Sequence, residues 1–349
     1  MKQAIIVGAG HAGLATAYLL RQKGYHKVVI LEASNAVGSA WRNRYEGLTL
    51  FTSRRYSQLP GLNISGNASE YPSKQEFVEY LEQYAAALSL DIRFGRKVVD
   101  VRNDTDGFTV NCSNGETYHS KMLFVCTGAF QIPHSYQLDS NSFYHGKVFT
   151  PESIGDRHLT CENENWLVIG DGASGRQLAK MLVKKNQVFL STGKARTFLP
   201  QRFLGRDIFF WLDKLGLTRL EKQHWLAKKM RKKDPFPATG SRNHQLAKAG
   251  ITLCKRFNLN KLNSEKPITL KGQVIDKVII TTGYKNDFSW LESCLAEQAS
   301  NKDIFDKVSD ISGLYILSQP WLNSRGSGLI MGIEHDFNLL DLLECKRSF

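Results

Sequence analysis

Apolar residues along the chain gather into short unbroken runs rather than alternating with polar ones. Lys2–Val7, Lys27–Leu31, Lys121–Cys126, Trp166–Ile169, Gln187–Ser191 and Asp276–Thr281 are of this kind. Such runs predict strands covered on both faces, as in a parallel sheet flanked by helices. Between them lie stretches with helical spacing. His11–Gln22 is closed by Gly24, and Gln75–Leu88 places Phe77, Tyr80, Leu81 and Tyr84 on one face behind Pro72-Ser73. Arg176–Lys184 and Glu334–Leu343 are the other predicted helices. Lys97–Arg102, Gly107–Cys112 and Thr117–Ser120 predict a β-meander, and Leu314–Leu317 a short late strand.

Two of the strand-to-helix junctions carry the same glycine spacing. After the first strand comes Gly8-Ala9-Gly10-His11-Ala12-Gly13, with Glu32 at the end of the next strand. Gly8 permits the tight turn, Gly10 lets backbone approach a pyrophosphate, and Gly13 lets helix and strand pack. Glu32 can accept hydrogen bonds from an adenosine ribose. The pattern returns as Gly170-Asp171-Gly172-Ala173-Ser174-Gly175, but its second strand ends Ser191-Thr192, without an acid where the first copy has Glu32. Small hydroxyls there, followed by Lys194 and Arg196, suit the 2′-phosphate of NADPH better than NADH, which remains the alternative. Each copy leads later to an apolar strand ending Thr-Gly: Thr127-Gly128 and Thr282-Gly283.

The predicted fold is α/β: two nested doubly wound (Rossmann-like) dinucleotide-binding domains. Residues 1–155 form the first part of an FAD domain, 156–284 an inserted NAD(P)H domain, and 285–349 the return to the first. Two dinucleotide sites in one chain imply electron traffic from a transient nicotinamide to a resident flavin, the cofactors supplying the redox chemistry.

The 349 residues hold 46 Lys and Arg against 33 Asp and Glu, a net charge of +13. Nucleic-acid binding has only that charge behind it and no recognisable module, so it is not expected. The six Cys lie far apart, with no C-x-x-C and no Cys/His cluster. This removes a disulfide scaffold, a zinc module and a dithiol redox centre; no metal is expected, and a reducing, cytoplasmic setting is. The run Ala4–Leu20 is broken by glycines and falls short of the roughly 18 residues of a membrane span. Arg219–Lys233 carries seven Lys or Arg among 15 residues, with Leu220, Trp225, Leu226 and Met230 interleaved. It reads as a helix with a solvated basic face, peripheral contact with an anionic membrane being the alternative. Phe209-Phe210-Trp211-Leu212 reads as core, a substrate-pocket wall being the alternative.

Resemblance sharpens the picture. The runs Val37–Tyr45, Leu48–Thr52, Leu59-Pro60-Gly61 and Tyr71–Phe77 resemble the flavin-containing monooxygenases (class B flavoprotein monooxygenases), notably the short bacterial and plant indole-pyruvate types. Leu199–Ile208 is similar to the CzcO-type flavoprotein oxidoreductases, and Thr282-Gly283-Tyr284, Pro320-Trp321 and Arg325–Gly328 extend the likeness towards the C-terminus.

The resemblance implies FAD on Gly8, Gly10, Gly13, Glu32, Trp41, Arg42 and Gly128. It implies NADPH on Gly170, Gly172, Ser174 and Gly175, to which the charge argument adds Thr192, Lys194 and Arg196. The implied reaction is formation of a flavin C4a-(hydro)peroxide from O2, which oxygenates a small nitrogen, sulfur or carbonyl compound. No catalytic residue is assigned; Phe51 and His335 are the candidate neighbours of the flavin ring. Two positions depart from the family pattern: Thr150 stands where its fingerprint has His, and Phe51 where many members have Asn. These departures keep open an NAD(P)H-dependent flavin oxidase or reductase. A flavoprotein accessory or sensor to a membrane transporter is a third reading, and a homodimer is compatible with all three.

Overall fold

A computed structural model describes residues 3–347, apart from 135, 194, 234, 238, 239, 297 and 299–301; the side chains of 236 and 341–347 also fall outside the description. The chain starts with β1 (Gln3–Val7), α1 (His11–Gln22) and β2 (Lys27–Leu31), then α2 (Lys74–Ala87) and β3 (Asp91–Arg93). The meander is β4 (Val98–Asp104), β5 (Gly107–Cys112) and β6 (Thr117–Ser120), antiparallel throughout, and β7 (Leu123–Val125) follows. The chain then builds a second lobe. Its elements are β8 (Val148–Phe149), β9 (Asn165–Ile169), α3 (Ala173–Leu182), β10 (Gln187–Ser191), α4 (Ile208–Lys214), α5 (Trp225–Lys233), β11 (Thr252–Cys254) and β12 (Lys277–Ile280). It returns with β13 (Leu314–Ile316) and α6 (Ile333–Arg347).

Two five-stranded sheets result, ordered β13-β7-β1-β2-β3 and β11-β10-β9-β12-β8, and every strand pair in both is parallel. Parallel strands need crossovers and cover on both faces, and the predicted unbroken apolar runs supply the buried strands. Ile5, Ile6, Leu167, Val168, Val278 and Ile279 are buried almost completely. The fold is α/β with Rossmann-like parallel sheets, as the sequence predicts. Val148–Phe149 joins the second sheet as an edge strand.

The motif Tyr71–Phe77 is local architecture. Ser73 caps α2 in a capping box with Glu76. Lys74 is buried, and its Nζ donates to the Arg44 carbonyl at 2.9 Å and pairs with Glu46, pinning the loop after Trp41. The hydroxyls of Tyr80 and Tyr84 donate to the carbonyls of Leu62 (2.7 Å) and Pro60 (2.6 Å), which fixes Leu59-Pro60-Gly61.

Two expectations are corrected. The basic helix spans only Trp225–Lys233, because residues ahead of it pair with the C-terminal segment instead: Glu221 bridges Ser324, and Lys222 N donates to the Asn323 carbonyl at 2.7 Å. Of the aromatic run, Phe209 is core, packed with Tyr56, Ile208 and Leu329, whereas Phe210, Trp211 and Leu212 are only half-buried. Among the described residues no helix is long and apolar enough to cross a membrane.

Candidate functional site

The two glycine loops have nearly the same geometry. A Cβ on Gly8 would lie 2.8 Å from the Cys126 carbonyl oxygen, and one on Gly170 2.5 Å from that of Thr281. Both glycines have φ above +100°, where only glycine is unstrained. A Cβ on Gly13 would lie 1.9 Å from the Gly8 oxygen, and one on Gly175 2.0 Å from the Gly170 oxygen. Helix and strand are therefore in direct backbone contact at both junctions. Gly10 and Gly172 differ: each has ordinary φ, caps its helix, and would point a Cβ into open space with nothing within 4 Å. The space over these two residues lies at the positive end of α1 and of α3, where a pyrophosphate fits.

The surroundings of the first loop fit the rest of an FAD. Glu32 Oε2 accepts from Ala9 N at 2.7 Å, and Oε1 from Ser34 N and Oγ at 2.9 and 2.6 Å. The carboxylate is thus fixed at the end of β2, facing the loop. Trp41 donates its indole N–H to His11 Nδ1 at 3.2 Å, and His11 Nε2 then donates to Ser318 Oγ at 3.3 Å. Burial pushes His11 down to about 4, so it is neutral at ordinary pH. Arg42 spends its charge on Glu82 of α2 at the surface. Gly128 O accepts from Gln131 at 2.8 Å and from the buried Gln319 at 2.9 Å, which ties the end of β7 to the turn after β13.

The helix after that turn carries Asp336 in its first turn. Asp336 is completely buried, and Oδ1 accepts from Ser327 Oγ (3.0 Å) and Asn323 Nδ2 (3.2 Å). Oδ2 has no partner among the described residues, and burial pushes the carboxyl up towards its protonated form. An orphaned buried oxygen of this kind marks a place where a bound group belongs. Beside it, His335 lines a cavity of about 390 Å³ with Tyr56, Asp213, Arg219, Met331 and Glu334. Phe51 is 38% exposed, its ring 6.0 Å from that of Phe209. Thr150 is occupied with Ser153 in a local turn.

The second loop contains a substitution that strand-end reading missed. Asp171 is buried, and its Oδ1 lies 3.5 Å from Gly193 N and 3.3 Å from Arg196 Nε. The carboxylate absent from the end of β10 therefore arrives from the loop. Two arginines answer it. Arg176, buried almost completely, pairs with Asp171 Oδ2 at 3.3 Å and donates to the carbonyls of Asp171 and Ser241. The local balance is two cations to one anion. Thr192 Oγ1 donates to the Cys254 carbonyl at 3.0 Å, and Ser174 lies at the start of α3. Lys194 lies outside the described residues.

Among the contacts between the two lobes is one made by three residues distant in sequence. Arg44 Nη1 reaches Glu152 Oε1 at 2.8 Å and also contacts the Tyr284 hydroxyl, which itself donates to Glu152. The guanidinium lies 4.5 Å over the Tyr284 ring. Glu152 follows β8, and Tyr284 lies on the segment that leads out of the second lobe, paired antiparallel with Ile132-Pro133 on the segment leading in. Tyr45 is buried in the second lobe's core, and its hydroxyl donates to Gln177 at 2.9 Å. The five cysteines described are free; burial pushes Cys126 up to about 12, making it an inert filler. Among the described residues no group of side chains could hold a metal ion.

Residues 5–200 match the family model described as pyridine nucleotide-disulphide oxidoreductase. An uncharacterised oxidoreductase CzcO of Bacillus velezensis is 32% identical, over 96% of this chain and 97% of its own. A probable indole-3-pyruvate monooxygenase of Arabidopsis thaliana, YUCCA1, is 28% identical over 82% of this chain and 77% of its own. The solved flavin-containing monooxygenase of Stenotrophomonas maltophilia superposes with a TM-score of 0.73 at 18% identity, covering all of both chains.

Proposed function

Since the chain belongs to the pyridine nucleotide-disulphide oxidoreductase family, among its flavin-monooxygenase relatives, we propose that it is an FAD-dependent, NADPH-consuming monooxygenase of a small nitrogen, sulfur or carbonyl compound. One observation carries the reading. Two loops of the same geometry, on two lobes joined by adjacent crossing segments, each close their outer glycines against backbone and leave the middle one facing open space.

FAD, when bound, supplies the hydride acceptance and oxygen activation. The chain's own residues do the holding. The first loop with Glu32 binds the adenosine and pyrophosphate, and neutral His11 keeps Trp41 and Ser318 in register. Asp336, buried against Ser327 and Asn323, keeps one carboxyl oxygen unpartnered among the described residues for a bound group to meet. On the second lobe, Arg176 and Arg196 outnumber Asp171, and that excess of positive charge favours a 2′-phosphate. The Arg44–Glu152–Tyr284 contact keeps the lobes facing each other so that nicotinamide and flavin can meet.

The test is a product balance: NADPH consumed, O2 consumed, hydrogen peroxide released and oxygenated product formed, on a panel of amines, thioethers and ketones. Oxygenated product in proportion to NADPH supports the proposal. A second reading, an NADPH oxidase, is favoured by Phe51, whose apolar ring offers no hydrogen bond where many relatives have Asn. Peroxide equal to the NADPH consumed with every compound would establish that reading instead.

A further inference from the structure

Between β10 and β11 the second lobe makes an excursion, residues 199–233, outside both glycine loops. It holds ten Lys and Arg against three Asp and Glu, a net +7 of the chain's +13 in a tenth of its length. Two of those acids are spoken for: Asp207 caps α4 and accepts from Ser53 N at 3.0 Å, and Asp213 takes Thr218 and Arg219. The exposed cations Lys228, Lys229, Arg231, Lys232 and Lys233 of α5 have no ion pair among the described residues.

The same excursion shows apolar side chains to solvent. Of nine large hydrophobics exposed among the described residues, four are here: Phe203 (52%), Leu204 (74%), Leu215 (68%) and Trp225 (67%). Leu204 and Gly205 form the tip of a two-residue-turn hairpin whose arms, Arg202-Phe203 and Arg206-Asp207, pair antiparallel. Leu204 has φ +47° and Gly205 φ +73°. Such a turn favours Asn or Gly at its first position, so an exposed leucine there costs both backbone strain and hydration. Folding is not served by it. The hairpin leans on Trp211, whose indole N–H donates to the Phe203 carbonyl at 2.9 Å, and Leu215 caps the C-terminus of α4. The cavity that His335 lines is walled on one side by Asp213, Thr218 and Arg219 of this same excursion.

We propose that residues 199–233 dock the protein on an anionic lipid surface, with Phe203, Leu204, Leu215 and Trp225 entering the interface and the basic residues of α5 meeting headgroup charge. Apolar tips and unpaired cations together are the two signals that stable peripheral binding requires, since either alone gives only marginal attachment. An acidic protein partner would match the charge and leave the strained leucine tip without a purpose. Docking in this way would set the cavity beside the bilayer and admit compounds dissolved in it.

The test uses the full flavin-loaded protein in co-sedimentation with phosphatidylcholine vesicles, with and without phosphatidylglycerol. Binding is expected only with phosphatidylglycerol and is expected to fall with salt. Neutralising Lys228, Lys229, Arg231 and Lys232 to Gln removes roughly fivefold in partitioning per charge, a loss of about 100-fold or more in all. Leu204→Asn relieves the turn, so the variant folds at least as well as the parent, and it too must bind more weakly. Failure to bind anionic vesicles overturns the proposal, as does binding that neither variant weakens. Concentration-dependent self-association that the same variants abolish, without vesicle binding, would assign the surface to a second copy of the chain.

Discussion

The glycines of the first loop make a paired prediction in which stability and cofactor binding move in opposite directions. Gly10→Ala adds a methyl where φ is −79° and nothing stands within 4 Å, so the chain itself has no objection. Removing glycine's freedom in the unfolded state should leave the flavin-free protein equal or more stable, by about 0.4–1 kcal/mol. That is a rise of no more than roughly 2–4 °C in Tm. The same methyl stands where the pyrophosphate must approach the α1 N-terminus, and FAD affinity should fall by about 100-fold or more, nearly 3 kcal/mol.

Gly13→Ala is the opposite case. Its Cβ would sit 1.9 Å from the Gly8 oxygen, and relieving that clash means pulling α1 off β1 by more than an ångström. A loss of several kcal/mol and an unfolded or aggregated product are expected. Gly172→Ala repeats the experiment on the second loop: FAD retained, fold intact, reduction by NADPH lost. The assay is flavin absorbance per chain after desalting, beside thermal unfolding of the flavin-free forms. A Gly10→Ala protein that unfolds, or that holds FAD as tightly as the parent, would refute the reasoning.

Further predictions concern charge and protonation. Asp171→Asn should lower the KM for NADPH relative to NADH roughly fivefold to tenfold, about 1 kcal/mol for one opposing charge removed, and an unchanged ratio of kcat/KM values would remove Asp171 from cofactor choice. His11 takes a proton at about 4 when folded but near 6.5 when unfolded, so its contribution is complete above pH 6.5 and is lost as pH falls towards 4. The shift is worth about 3 kcal/mol. Burial raises Asp336, which pulls the other way, so the informative quantity is the difference between parent and His11→Gln in urea unfolding at pH 5 and pH 7. A constant difference would show that His11 does not titrate as the structure requires.

Much of the fold is legible in the sequence wherever one interaction dominates. His11–Gln22, Lys27–Leu31 and Gln187–Ser191 fall where the apolar runs and glycines put them, because strands buried on both faces leave no choice of register. The two-residue strand Val148–Phe149 is invisible in the same terms, since its place is set by pairing with β12 and not by its own pattern. Basic helix α5 starts six residues late for a similar reason: backbone pairing with Asn323 and Ser324 overrides local helical spacing. At the site, glycine spacing marks both loops, and Glu32 stands beside the first. Asp171 was hidden because its carboxylate reaches the end of β10 from the loop, a substitution of place and not of chemistry. Arg44, Glu152 and Tyr284 meet only through the crossing of two lobes, which no local pattern encodes.

The most direct test of the account is rapid mixing of the NADPH-reduced, flavin-loaded protein with oxygenated buffer while the flavin spectrum is followed. The account predicts a transient species distinct from both oxidised and reduced flavin, lengthened by bound NADP⁺ and discharged by substrate. Single-step return to the oxidised spectrum, with one hydrogen peroxide released per flavin, would contradict it.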